Sequence, residues 1–227
     1  IMIYRLIQAC KWERPIYFAV TVSDDNRIGL DEYLQMEGMV FKLHPKKVSS
    51  INYEKMKQNI IQSPDVNYII RTPKQYNEYL NTGKGFYHYR NMNNPDVYFN
   101  FNIQRLVQNY RASFLQLVIS SINGANDKKV ESIEILNNME NYFPSDMLPY
   151  NNDKLELQVA QIYFMLGDEN EYIKRLGIIE NRDRVSNETL LNVGQMYLSE
   201  LNDYDKAYNI FYRLYEKDPT TIEYMYS

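Results

Sequence analysis

Few side chains in this 227-residue chain are of the kinds that do chemistry, and their spacing narrows the choices. Asp24/Asp25 and Asp31/Glu32 are neighbouring carboxylates, the residue type that shares acid–base work in glycoside cleavage. They lie in polar turn sequence, where solvated caps are the expectation. Asp24, Asn26 and Gly29 hint at a calcium loop, but its spacing would demand ligands at Ile28 and Gln35, and an isoleucine cannot coordinate a hard cation. Gly83-Lys84-Gly85 lacks the Gly-x-x-x-x-Gly-Lys-Ser/Thr spacing of a phosphate loop. His88 stands in Phe86-Tyr87-His88-Tyr89-Arg90, where rings and a guanidinium can stack on a sugar or pack a domain seam; the seam is the expectation. One cysteine, Cys10, excludes an internal disulfide and any multi-cysteine metal site, and two histidines, His44 and His88, leave little for a histidine site. No catalytic, cofactor-binding or metal residue is expected, and no cofactor.

The elements that would position these residues read as two units. Hydrophobic residues at 44% and charged residues at 24% fit a folded chain. A pI near 5.4 without a concentrated Lys/Arg stripe argues against a nucleic-acid partner. Residues 1–113 carry a net +5 and residues 114–227 a net −9, which suggests two units with different surroundings. No run of about 18 apolar residues that could span a bilayer is present. Ile1 to Cys10 reads as an amphipathic helix with Leu6, Ile7 and Cys10 on one face, stopped by Trp12-Glu13-Arg14-Pro15. Ile16 to Val22 reads as a strand buried on both faces, as in a parallel sheet. A short helix capped by Asp31, a second strand over Met39–Leu43 and a helix over Asn52–Gln62 follow. The expected module over residues 1–97 is therefore α+β or α/β, with a small, mainly parallel sheet.

Two segments carry a resemblance. One is Trp12-Glu13-Arg14-Pro15-Ile16-Tyr17-Phe18-Ala19-Val20-Thr21-Val22, continued by Ile28-Gly29-Leu30-Asp31 and Met36-Glu37-Gly38-Met39-Val40-Phe41-Lys42-Leu43. The other is Tyr87 to Tyr98, running on to Leu106–Arg111. Together they resemble the C-terminal part of the domain-of-unknown-function 2723 family, multi-pass membrane proteins similar to protein O-mannosyltransferases. The resemblance implies a membrane-embedded sugar transferase with a soluble tail on the extracytoplasmic, periplasmic face of the inner membrane. The catalytic acid of such enzymes lies in an early membrane loop, so no catalytic residue carries over here. Trp12, Arg14, Pro15, Tyr17 and Gly38 mark the tail, and Arg14 is expected to pair with a carboxylate near the strand start. Tyr87, His88, Tyr89 and Arg90 complete the candidate motif residues.

Residues 98–227 read as an all-α, tetratricopeptide-like helical repeat region. Ala160 and Tyr163 recur 34 residues later as Gly194 and Tyr197, and Ala207, Phe211 and Pro219 complete the last unit. An earlier unit places Ser132, Leu136, Met139 and Pro144 at matching spacing. Such arrays form concave surfaces for peptides or other domains, with Tyr204, Tyr208 and Tyr215 as candidates for a binding face. The expected function is that of a non-catalytic region of a membrane glycosyltransferase-like protein. Its partners would be the membrane-embedded part of the same polypeptide and an acceptor protein or peptide on the repeats; lipid-linked sugar would be met only through the membrane part. A free-standing repeat scaffold is the alternative.

Overall fold

The computed structural model describes residues 2–62, 68–123, 129–182, 185–217 and 219. They form two compact units, Ile1–Pro149 and Tyr150–Ser227. The boundary expected at 97/98 falls inside the first unit, where short elements give way to long helices.

The first unit opens with α1 (Met2–Cys10), an amphipathic helix with no fully buried residue. Ile3, Ile7 and Cys10 face a small core of Ile16, Phe18, Leu34 and Leu43. Leu6 instead points to solvent. The helix ends where Lys11 and Trp12 adopt positive φ, ahead of Pro15. Three strands follow, β1 (Tyr17–Ala19), β2 (Leu34–Met36) and β3 (Val40–Leu43), in the order β1-β3-β2. Both pairings are antiparallel, with Phe18 opposite Phe41 and Met36 also opposite Phe41.

An α+β module is thus present, but the sheet is antiparallel and not mainly parallel. The physical reason lies in the connections. Only Glu37, Gly38 and Met39 join β2 to β3, far too few for the crossover a parallel pair needs. In β1 the pattern alternates, with Tyr17 and Ala19 outward and Ile16 and Phe18 inward. Tyrosine, amphipathic, made a one-sided strand look two-sided. A parallel bridge, Met36 to Ile51, extends the sheet.

The remaining elements of this unit are α2 (Tyr53–Ile61), α3 (Pro73–Leu80), α4 (Phe101–Ile122) and α5 (Lys129–Tyr142). Asn52 caps α2 by accepting from Lys55 N at 3.2 Å. Thr72 and Gln75 form a reciprocal capping box on α3, with Pro73 in its first turn. Arg111 on α4 is completely buried and donates to the carbonyls of Phe143 (2.8 Å) and Leu148 (2.6 Å), tying the end of α5 and the chain beyond it to α4.

The second unit holds α6 (Asp153–Leu166), α7 (Glu169–Glu180), α8 (Asn187–Ser199) and α9 (Tyr204–Lys217). Ala160 and Tyr163 occupy the eighth and eleventh positions of α6, and Gly194 and Tyr197 the same positions of α8. All four are buried, as are Ala207 and Phe211 on α9. A Cβ on Gly194 would lie 2.5 Å from the Phe211 ring, so α8 and α9 touch through a residue without a side chain. Pro219 lies beyond α9 and is exposed, outside this packing. Arg182, after α7, pairs with Asp153 at 3.0 Å and with the buried Glu156, tying the end of the first helix pair back to the start of α6. Helical repetition is present; no helix among the described residues is long and apolar enough to cross a membrane.

Candidate functional site

Three of the four carboxylates in the acidic pairs, Asp24, Asp31 and Glu32, are engaged in ion pairs. Arg27 contacts Asp24 at 2.7 Å and Asp31 at 3.4 Å, lies 4.5 Å over the Phe41 ring, and donates to the Val22 carbonyl. Glu32 pairs with Lys47 at 2.5 Å. Asp24–Arg27 is a single 3-10 turn, and no group of three metal-binding side chains occurs among the described residues. Gly85 packs so closely on α2 that a Cβ there would lie 1.9 Å from the Gln62 carbonyl. Gly85 therefore serves a tight chain passage, whereas Gly83 has open space around it and a φ of +72°.

One concave feature of this unit is an aromatic cleft of about 250 Å³, lined by Tyr17, Glu37, Val40, Asn59, Tyr76, Phe86 and Tyr87. The sheet supplies the outward Tyr17 of β1, Val40 of β3, and Glu37 from the tight connection. Helices α2 and α3 supply Asn59 and Tyr76, and the extended segment after Gly85 supplies Phe86 and Tyr87. Tyr76 and Phe86 rings lie 5.8 Å apart, and Tyr79 backs Phe86 at 4.9 Å. Tyr17 and Tyr76 share a hydrogen bond between their side chains; burial, then that bond, holds the Tyr17 phenol well above its usual range. Burial likewise raises Tyr87.

Two polar groups lie deep in this apolar frame. Glu37 is 5% exposed, with its carboxylate 4.0 Å from Lys42 Nζ. Asn59 is 8% exposed and donates through Nδ2 to the Glu37 carbonyl at 2.6 Å, while its Oδ1 has no hydrogen-bond partner among the described residues. A buried unpaired acceptor costs about 1–3 kcal/mol, so a group that donates to it is favoured. Lys55 also feels Glu37, but desolvation is the larger effect and lowers its pKa.

The motif residues divide between cleft, seam and surface. Tyr17 and Tyr87 line the cleft. Tyr89 turns the other way, its ring 4.6 Å from Tyr142 and 5.0 Å from Phe143, and its hydroxyl donates to the Ile60 carbonyl. His88 and Arg90 face solvent. Trp12 is 44% exposed, and Arg14 is exposed with no carboxylate partner among the described residues. Glu37, Asn59 and Tyr76 were not singled out from the sequence as site residues. The available signal was an asparagine inside the apolar stripe Met56–Asn59–Ile60, a polar residue where packing alone calls for an apolar one.

A family model described as TMEM260-associated domain 2 matches residues 1–64, which contain α1, the sheet and α2. Neither a curated protein nor a solved structure matches the chain. Tyr17, Glu37, Val40 and Asn59 fall inside the matched segment; Tyr76, Phe86 and Tyr87 lie beyond it.

Proposed function

We propose that the chain is a non-catalytic, extracytoplasmic region of a membrane O-mannosyltransferase-like protein, which supports the membrane enzyme or holds its acceptor protein. The observation that carries this reading is the family match over residues 1–64, a family linked to such proteins. It coincides with the Trp12–Leu43 motif, which resembles the tail of membrane sugar transferases. The engagement of Asp24, Asp31 and Glu32 in ion pairs supports a non-catalytic role for this part. The 34-residue equivalence of α6 and α8 supports assigning the second unit to the tetratricopeptide type, whose surfaces take peptides. The test is to express the intact gene and fractionate the cells. Transfer of mannose from a lipid-linked donor to protein should follow the membrane fraction and be absent from the 227-residue chain alone. Recovery of the intact gene product as a free soluble protein, or turnover by this chain alone, would overturn the reading.

A repeat scaffold is the second reading, and one observation favours it. Tyr204, Tyr208, Tyr212 and Tyr215 are exposed along α9, with Tyr208 and Tyr212 stacked at 6.0 Å between ring centres. Saturable peptide binding that is lost in Tyr208→Ala would favour a scaffold over a support role.

A further inference from the structure

We propose that the aromatic cleft between the sheet, α2 and α3 binds a single pyranose ring of a carbohydrate. Its size is the first argument: about 250 Å³ lies just under the range of small-molecule sites, which suits one ring and excludes an extended chain. The walls are the second. Tyr17, Tyr76, Phe86 and Tyr87 offer ring surface to the C–H face of a sugar.

The polar chemistry is the third argument and selects among small ligands. Among the described residues Asn59 Oδ1 is a buried acceptor without a donor, and the Glu37 carboxylate accepts only. A ligand for this cleft must bring donors, as a polyhydroxylated ring does. An aromatic-lined site with a carboxylate also suggests an ammonium ion. Here, however, Lys42 Nζ stands 4.0 Å from Glu37, and Lys55 is close enough to feel the same carboxylate. The negative charge is already compensated, so a neutral donor is favoured over a cation. Tyr17 is 38% exposed and so is accessible at the rim. None of this requires a membrane enzyme; the site lies wholly within the first compact unit.

The experiment is ligand-observed saturation-transfer NMR on the whole 227-residue chain, followed by titration. The probes are the methyl glycosides of α-mannopyranose, α-glucopyranose and β-galactopyranose, with tetramethylammonium as the competing chemistry. At least one pyranoside should bind saturably, with saturation concentrated on its ring C–H protons. Its Kd should rise about tenfold or more in Tyr17→Ala and in Asn59→Leu, and stay unchanged in Tyr208→Ala on the other unit. Circular dichroism establishes that each variant is folded; should Asn59→Leu unfold, the half-exposed Tyr17→Ala decides alone. Three outcomes overturn the proposal: no saturable pyranoside binding up to on the order of 100 mM, tighter binding of tetramethylammonium, or an unchanged Kd in folded Tyr17→Ala.

Discussion

The Tyr87 ring stands where a side chain on Gly38 would have to go: a Cβ on Gly38 would lie 2.9 Å from both Tyr87 Cε2 and its hydroxyl oxygen. Gly38 also has φ +119°, which L-residues avoid. The same hydroxyl accepts from Met39 N at 2.8 Å, so one tyrosine closes the β2–β3 turn from a segment about 50 residues later. Gly38→Ala is therefore expected to lose about 2–3 kcal/mol, measured by urea unfolding. Tyr87→Phe keeps the ring, removes the acceptor, and should lose about 1 kcal/mol.

Gly194 and Phe211 make the equivalent approach in the second unit. Added volume at Gly194 must displace an aromatic ring rather than a flexible chain end. Gly194→Ala should lower stability by about 1–3 kcal/mol through overpacking. Gly194→Ala with Phe211→Leu should recover part of that loss, a coupling that a double-mutant cycle in thermal unfolding will read. If the two changes are simply additive, the helices do not meet through this pair.

Arg111 gives a third measurement. Its guanidinium is fully buried and donates to two carbonyls at the end of α5 and beyond. Arg111→Met should cost about 3–5 kcal/mol, since charged hydrogen bonds are lost and two buried carbonyls left unpaired. Arg111→Lys, a point donor in place of a planar fork, should not restore both bonds.

Alkali should unfold this protein through its tyrosines. Burial raises the Tyr89 and Tyr172 phenols, with a Glu200 hydrogen bond adding to Tyr172, and Tyr197 is pushed up to about 12. Each is higher in the folded chain than the value near 10 of an unfolded one. Their stabilising contribution is thus complete below pH 10 and is lost as pH rises through the folded values. For Tyr197 the loss runs from about pH 10 to 12 at about 1.4 kcal/mol per pH unit. A fraction of the phenolate absorbance should therefore appear only together with the loss of circular dichroism above pH 10. Ionisation of all 22 tyrosines in a chain that keeps its circular dichroism would contradict it.

The helices were legible in the sequence because their signals are local. Asn52 and Asn100 cap α2 and α4, and the 34-residue interval places Gly194 and Tyr197 on α8 as it places Ala160 and Tyr163 on α6. The sheet direction was not legible from β1 alone, since Tyr17 reads as apolar until the neighbour it faces is known. The three-residue link after Met36 held the answer. Of the cleft, Tyr17 and Tyr87 were visible through their motifs, whereas Asn59 and Tyr76 come to it from α2 and α3 by tertiary packing. Nothing in their local sequence states that they share a wall.

Cys10 is the chain's one thiol, and it sits half-buried on the face of α1 that covers the β-sheet core. That placement turns a residue without evident chemistry into an internal gauge. Any alkylating reagent reaches a single position, so its rate reports how often the first helix lifts from the strands beneath it. Compared with global unfolding, that rate would give the free energy of opening this one edge of the protein.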